Sequence, residues 1–258
     1  MSEHDGHFVW HELMTTDLPA AEAFYRAVIG WEAEALHHLD VPYTRLGLGG
    51  RPMAGMMELP EAARALGARP GWIGHVAVGE VDVAAAMAQD LGGLVHVAPW
   101  DIPGIGRLAV LGDPQGAVFA VFAAAFAMTE PAAAGMPGQV GWNALLTPVR
   151  EQAFAFYAAL FGWRKAEALE SGPMGTIQTF GLGEAAFGGM RDQPAAVPRP
   201  FWLYSLTVED IDAAAARVAA AGGQVQMGPM AVPGGGWSLQ ALDPQGAAFA
   251  LLGPRLQK

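Results

Sequence analysis

The sequence contains no cysteine. This absence excludes disulfide bonds, thiolate metal sites and cysteine nucleophiles. Basic residues are also scarce: 14 lysines and arginines stand against 25 aspartates and glutamates, and the formal net charge is −11. We therefore expect no nucleic-acid partner, because the cationic surface that binds phosphate is missing. No histidine follows His96, so the second half of the chain is poor in nitrogen ligands for a metal ion.

Long hydrophobic runs are absent as well. The longest apolar run, Ala117 to Met128, is shorter than the roughly 20 residues that a membrane-spanning helix needs. Residues 1–6 are polar and acidic, unlike a secretory signal peptide. We therefore expect a cytoplasmic protein with no membrane partner. With 258 residues, of which 52% are hydrophobic, the chain is long enough for one large or two ordinary domains.

A tandem repeat is the main feature that the sequence does contain. Residues 23–31 and 155–163 both begin with Ala-Phe-Tyr and end with Gly-Trp. The turn Asp-Pro-Gln-Gly occurs at 113–116 and recurs without change at 243–246. Repeated segments in the same order predict a duplicated architecture, and the repeat favours two domains over one.

Each repeat is predicted to contain two modules, and each module consists of a strand, a helix and further strands. In the first module, Phe8 to Thr15 has the pattern of a strand. The helix after it can be capped by Thr16 or Asp17 and can end at Gly30, a residue free to take the left-handed conformation. Strands are predicted next near Tyr43–Leu48 and Pro52–Leu59.

The predicted fold class is therefore α+β, with four β-α-β-β-β modules in two domains. The domains are expected at residues 5–123 and 138–253. Residues 124–137 are rich in alanine, glycine and proline, with little patterning, and are predicted to be a linker.

This order of motifs resembles the vicinal-oxygen-chelate superfamily, which includes glyoxalase I, extradiol dioxygenases, and fosfomycin- and bleomycin-resistance proteins. The motifs are the Phe-Tyr-x-x-x-x-Gly-Trp helix ends, the Gly-Gly breaks at 92–93 and 222–223, and the Asp-Pro-x-Gly turns, and they cover nearly the whole chain. The resemblance implies mixed sheets that curl into cups, with the helices outside. It leaves open whether module one shares its cup with module two or with module four.

Metal-binding members of this superfamily take ligands from the first and last strands of their modules. The matching positions here are apolar or glycine: Trp10, Gly55, Ile73, Ala120, Trp142, Gly189, Leu203 and Ala250. None of these side chains ligates a metal ion. We therefore expect no metal cofactor and no stoichiometric transition metal.

Glu12 and His75 are the polar pair that most specifically indicates chemistry among the predicted site residues. Strand alternation places Trp10, Glu12 and Met14 on the cup face of the first strand, and it places His75 on the cup face of the strand near Trp72–Val78. A carboxylate beside an imidazole suits proton transfer, or can give two ligands of an irregular metal site. The alternative is a locally bonded Glu12 and a core histidine. Ala144 and Ser205 stand at the matching positions of the second half.

Several other residues are candidate ligand contacts, each with a structural alternative. Trp10 and Trp142 can stack on a flat ligand or can fill an inactive cup, and Ile73 shares the predicted cup face. Methionines such as Met56 can line an adaptable pocket or fill the core. Arg107 can meet an anionic group or can be an ordinary surface arginine.

The sequence is compatible with three functions. It does not decide whether the protein is an enzyme. The first is metal-independent binding of a small, partly apolar organic molecule, or proton-transfer chemistry on it. The second is a metal-dependent lyase or dioxygenase, and the third is a non-catalytic structural or interaction protein. The sequence leaves the ligand and the oligomeric state open.

Overall fold

The structure is a computed structural model that describes residues 3–37, 41–126, 135–172, 175–233 and 235–256. The described residues form five helices: α1 (Leu18–Ile29), α2 (Glu61–Ala65), α3 (Val81–Asp90), α4 (Arg150–Phe161) and α5 (Ile211–Ala220). The strands of the first half are β1 (Phe8–Thr15), β2 (Glu32–Leu36), β3 (Tyr43–Leu48), β4 (Arg51–Glu58), β5 (Gly71–Ala77), β6 (Leu94–Ile102), β7 (Gly106–Gly112) and β8 (Val118–Ala124). Those of the second half are β9 (Val140–Thr147), β10 (Arg164–Glu170), β11 (Thr176–Gly181), β12 (Ala186–Asp192), β13 (Phe201–Thr207), β14 (Gln224–Ala231), β15 (Trp237–Leu242) and β16 (Ala248–Gly253).

The repeated Ala-Phe-Tyr segments lie in α1 and α4, and both helices end at the glycine that the sequence indicates. Asp17 caps α1, because its side chain accepts a hydrogen bond from the backbone N–H of Ala20. Gly30 and Gly162 then take left-handed conformations, with φ of 88° and 74°.

Each half of the chain forms one eight-stranded mixed sheet, which confirms the predicted α+β class. The strand order is β2-β3-β4-β1-β5-β8-β7-β6 in the first sheet and β10-β11-β12-β9-β13-β16-β15-β14 in the second. The two orders are the same when each strand is replaced by its counterpart in the other half. Pairing is parallel between β1 and β4 and antiparallel between β3 and β4.

In chain order, the four modules contain strands β1–β4, β5–β8, β9–β12 and β13–β16. The contacts of the chain group it into two compact units that each combine modules from both halves. One unit contains residues 10–72, 132–141 and 203–258, so module one goes with module four. The other contains residues 1–9, 73–131 and 142–202, so module two goes with module three. In the first unit α1 packs against α5, and in the second α3 packs against α4.

A buried Trp-Tyr-Asp chain joins the two modules inside each unit. In the first unit, Trp72 Nε1 donates to the hydroxyl of Tyr25 at 3.0 Å, and this hydroxyl donates to Oδ2 of Asp243 at 3.2 Å. In the second unit, Trp202, Tyr157 and Asp113 repeat the chain, at 3.1 and 3.2 Å. The tyrosine of the repeated helix and the aspartate of the repeated turn are therefore bonded partners.

The predicted domain boundaries, 5–123 and 138–253, stay a prediction. Strand β8 extends to Ala124, and residues 127–134 of the predicted linker lie outside the described part of the chain. None of the helices in the described ranges has the length and apolarity that a membrane crossing requires.

Candidate functional site

A buried carboxyl group on β1 is hydrogen-bonded into a chain of three polar side chains. Trp10 Nε1 donates to the hydroxyl of Tyr43 at 2.9 Å. The Tyr43 hydroxyl is in turn hydrogen-bonded to Glu12. Glu12 is only 7% exposed, whereas Trp10 and Tyr43 are half-buried. We call these three residues the Glu12 chain.

Gly55 makes the Glu12 chain possible. It lies on β4, in register with Glu12 of β1 and with Arg45 of β3. A Cβ atom at this position would overlap the hydroxyl of Tyr43 and would lie 3.0 Å from Trp10 Nε1. The glycine therefore leaves its side-chain space to the tyrosine hydroxyl, which reaches Glu12 across the intervening strand.

Burial raises the pKa of Glu12 to about 7, although the hydrogen bond from Tyr43 lowers it. Burial also raises the pKa of Tyr43, and the neighbouring Glu12 carboxylate raises it further. The tyrosine therefore keeps its proton at neutral pH, while the carboxyl group changes charge there. A carboxyl group of this kind can accept or donate a proton near neutrality, beside a fixed O–H donor.

The second half holds apolar residues at the matching positions. Trp142 repeats Trp10, but Ala144 stands in the place of Glu12, and Ile177 stands in that of Tyr43. A Cβ atom at Gly189 would lie 2.6 Å from Ile177 Cγ2 and 3.2 Å from the Trp142 ring. Both halves thus share a glycine under a large side chain, but only the first has a carboxyl group beside it.

Tyr43 is the functional residue that sequence reasoning missed. The sequence correctly predicts its strand, Tyr43–Leu48, but it does not give the register that brings its hydroxyl to Glu12. A comparison of the two repeats could have found it. Glu12 and Tyr43 are both polar in the first repeat, and both are replaced by apolar residues, Ala144 and Ile177, in the second.

The opposite face of β1 packs into the core, as strand alternation predicts. The ring of His11 lies 4.7 Å from that of Tyr204. Leu13 is fully buried and in register with Met56, which is also fully buried. Met56, a predicted ligand contact, therefore lies in the core beside Leu13, on the face away from Glu12.

The other predicted site residues on first strands are those of modules two and four, and they lie on β5 and β13. His75 is 6% exposed and in register with Ala120, and Ile73 is half-buried on the same strand. Ser205 is 6% exposed, on β13. His75 belongs to the compact unit of modules two and three, whereas Glu12 belongs to that of modules one and four. Their joint action stays a prediction.

Arg107 is engaged by two carboxylates. Its Nε donates to Asp82 at 2.6 Å, and its Nη1 donates to Asp101 at 3.0 Å. These hydrogen bonds raise the pKa of Arg107, which is a surface residue with a 34% exposed side chain. An anionic ligand at this position would have to compete with both aspartates.

The residues at the superfamily's ligand positions do not fit a metal ion. In the described ranges, no three His, Cys, Asp or Glu residues come together as possible ligands. Donors adjacent to the first-half positions are Glu12 and the Tyr43 hydroxyl in module one and His75, in register with Ala120, in module two. The Trp10 indole has no lone pair to offer, and these donors are not grouped as a set of three ligands. No chemical step is therefore assigned to a metal here.

An open surface pocket lies in the same unit, next to Tyr43, since its lining includes Pro42 and the residue in register with Tyr43, Met57. It has a volume of ≈ 310 Å³ and is lined by residues of β4 and α2, including Met57, Glu58 and Arg64. Its charged side chains are exposed, and Arg64 pairs with Glu61. Because the pocket has no buried titratable group, the Glu12 chain is the better candidate for chemistry.

Replacing Gly55 with alanine is expected to displace Tyr43 and to break its hydrogen bond with Trp10. The expected loss in the free energy of unfolding is about 1–3 kcal/mol, the usual cost of overpacking. Denaturant unfolding of the Gly55→Ala variant measures this loss.

A Tyr43→Ala background provides the control. Once the tyrosine ring is gone, the Gly55→Ala change should cost much less, because its principal clash is with the Tyr43 hydroxyl. Additive losses in the double variant would contradict the placement of this hydroxyl over Gly55.

Comparison with known proteins identifies relatives along the whole chain. A family model described as the Glyoxalase/Bleomycin resistance protein/Dioxygenase superfamily matches residues 139–251. A Mycobacterium bovis protein named "Putative glyoxylase CFP32" is 32% identical over 257 residues, covering 96% of this chain and 95% of its own. The Streptomyces peucetius protein "Anthracycline biosynthesis protein DnrV" is 29% identical over 267 residues, covering 94% of this chain and 91% of its own.

Solved structures share the fold at lower identity. The Mn(II)-bound glyoxalase from Novosphingobium aromaticivorans has a TM-score of 0.66 at 18% identity, covering 97% of this chain and 82% of its own. The 2,3-dioxygenase LapB from Pseudomonas sp. KL28 has a TM-score of 0.65 at 14% identity, covering 96% and 92%. At these identities the likeness shows a common fold.

Proposed function

Since the chain belongs to the glyoxalase/bleomycin resistance protein/dioxygenase superfamily, we propose that it binds a small, partly apolar organic molecule without a metal ion. The molecule lies against the face of module one that carries the Glu12 chain, and Glu12 exchanges a proton with it. The observation that carries this proposal is a carboxyl group that is 7% exposed, has a pKa of about 7 and is hydrogen-bonded to Tyr43.

The proton-transfer step uses two residues of this chain. The Glu12 carboxylate accepts a proton from a weakly acidic O–H or C–H group of the ligand, and the negative charge passes to the ligand. Before this step the Tyr43 hydroxyl is hydrogen-bonded to the carboxylate. Once Glu12 is protonated, this hydroxyl is released to donate to the new oxyanion, which it stabilises in a site with little water.

The accessible ring of Trp10 favours binding of a ligand with a flat apolar body. Its indole is held by the hydrogen bond to Tyr43 and remains half-buried, so that part of the ring is accessible. A relative is named as an anthracycline biosynthesis protein, and anthracyclines are planar, hydroxylated polycyclic molecules. This name supports hydroxylated polycyclic aromatic ketones as the first ligand class to test.

Titration with 1,8-dihydroxyanthraquinone tests the proposal. This probe is planar and weakly acidic, and its visible absorbance reports the loss of its proton. We expect saturable binding to the wild type at about pH 8, where Glu12 is ionised. The Glu12→Gln and Trp10→Phe variants should each bind at least about tenfold more weakly. The Trp100→Phe variant, altered at an exposed tryptophan of β6, is the matched control and should change the affinity little.

The metal content of the same samples separates the proposal from metal-dependent chemistry. Binding should be unchanged in protein that elemental analysis shows to be free of transition metals. If ligand binding required added manganese, iron or zinc, the proposal of metal-independent binding would be wrong. Equal affinity of the wild type and the Glu12→Gln variant would show that Glu12 does not take part in ligand binding.

A further inference from the structure

Module three contains a buried cation that has no counterpart in module one. Arg191 lies on β12 and is 6% exposed. Burial lowers the pKa of its guanidinium, yet arginine stays charged because its pKa starts so high. The matching residue of module one is Met57, on β4. Module three therefore has a buried positive charge at a position where module one has a neutral side chain.

Arg191 shares its face of the sheet with apolar side chains. It lies two residues beyond Gly189, so both residues point to the same face of β12. The space beside Gly189 is occupied by Ile177 and Trp142, and Ala144 is in register with this glycine. Ile177, Trp142 and Ala144 are half-buried, so the apolar surface around the arginine is accessible in part.

The two halves of the duplicated chain therefore carry opposite charges on the same scaffold. Module one has a buried carboxyl group at Glu12 and no cation at Met57. Module three has the reverse, with Ala144 and Arg191 at these positions. A ligand suited to one face is thus electrostatically unsuited to the other.

We propose that the face of module three formed by Arg191, Trp142 and Ile177 is a second binding site, and that it takes an aromatic carboxylate. The guanidinium is a planar fork of five N–H donors that matches a carboxylate in two parallel hydrogen bonds, and it can serve an internal partner at the same time. The aromatic body packs on Trp142 and Ile177. This site is independent of Glu12 and of proton transfer.

Calorimetric titration of the full chain with 2-naphthoate tests this site. We expect saturable binding of one molecule per chain, weakened at least about tenfold in the Arg191→Gln variant. Arg191→Lys keeps the charge but loses the fork, and its affinity should fall between the two. The matched control is Arg164→Gln, since Arg164 is an exposed arginine of the same module and its loss should leave the binding unchanged.

Acetate and the Glu12→Gln variant complete the design. Acetate offers the same carboxylate without an aromatic body and should bind much more weakly than 2-naphthoate. Glu12→Gln should bind 2-naphthoate as the wild type does. Absence of saturable binding to the wild type, or equal affinity of the wild type and a folded Arg191→Lys variant, would overturn the proposal. Circular dichroism of each variant establishes that it is folded.

Discussion

Replacing Asp243 with alanine is expected to lower the free energy of unfolding by about 3 kcal/mol, the cost of removing one partner from a buried charged hydrogen-bond network. The carboxylate is 3% exposed. Its Oδ2 accepts from Tyr25, and its Oδ1 accepts from the backbone N–H groups of Gln245 and Ala247 at 2.9 and 2.8 Å. All three donors would lose this acceptor, and those of Tyr25 and Ala247 are buried. Calorimetry should record a Tm about 6–12 °C lower.

Two further variants isolate the cause of this loss. Asp243→Asn keeps an oxygen acceptor for the backbone donors, so we expect a loss of only about 1 kcal/mol. Glu32→Ala removes an exposed carboxylate of β2 and should change stability by less than about 0.5 kcal/mol. A loss for Asp243→Ala as small as that of Glu32→Ala would show that the buried chain does not hold module one to module four.

Replacing Glu12 with glutamine is expected to remove a large pH dependence of stability. The ordinary glutamate pKa is 4.5, and burial raises that of Glu12 to about 7. The folded state therefore binds one more proton than the unfolded state between these two values. The protonated group's contribution to stability is complete below pH 4.5 and is lost as the pH rises to about 7, by up to about 3 kcal/mol.

Denaturant unfolding from about pH 4.5 to 8 measures this contribution. The Glu12→Gln variant should gain stability relative to the wild type as the pH rises, because a neutral amide has no charge to bury. Glu32→Gln, an exposed change, should keep a constant difference from the wild type over the same range. A constant difference for Glu12→Gln would mean that Glu12 titrates alike in the folded and unfolded states.

Local features of the fold were predictable from the sequence because local chemistry determines them. Strands β1 and β3 have the predicted bounds, and α1 ends before Gly30 as predicted. The superfamily resemblance is confirmed by the family model and by relatives that cover nearly the whole chain. The sequence does not predict strand β2 (Glu32–Leu36), because its residues, Glu-Ala-Glu-Ala-Leu, are mostly exposed and include no β-branched or aromatic side chain.

The candidate site was only partly predictable, because it depends on register between distant strands. Alternation along β1 was sufficient to place Glu12 and Trp10 on one face. Tyr43 reaches them only through the pairing of β3 with β4 and of β4 with β1. The Tyr25–Asp243 bond joins residues of two modules at opposite ends of the chain. No local pattern encodes such a contact, although both residues stand in repeated motifs.

The pKa of Glu12 is the quantity on which the proposed function depends most directly. It can be measured by titrating the side-chain carboxyl carbon of ¹³C-labelled protein by NMR, with the resonance assigned by its absence in Glu12→Gln. We predict an apparent pKa of about 7. A value at or below 4.5 would contradict the assignment of Glu12 as a buried proton-transfer group.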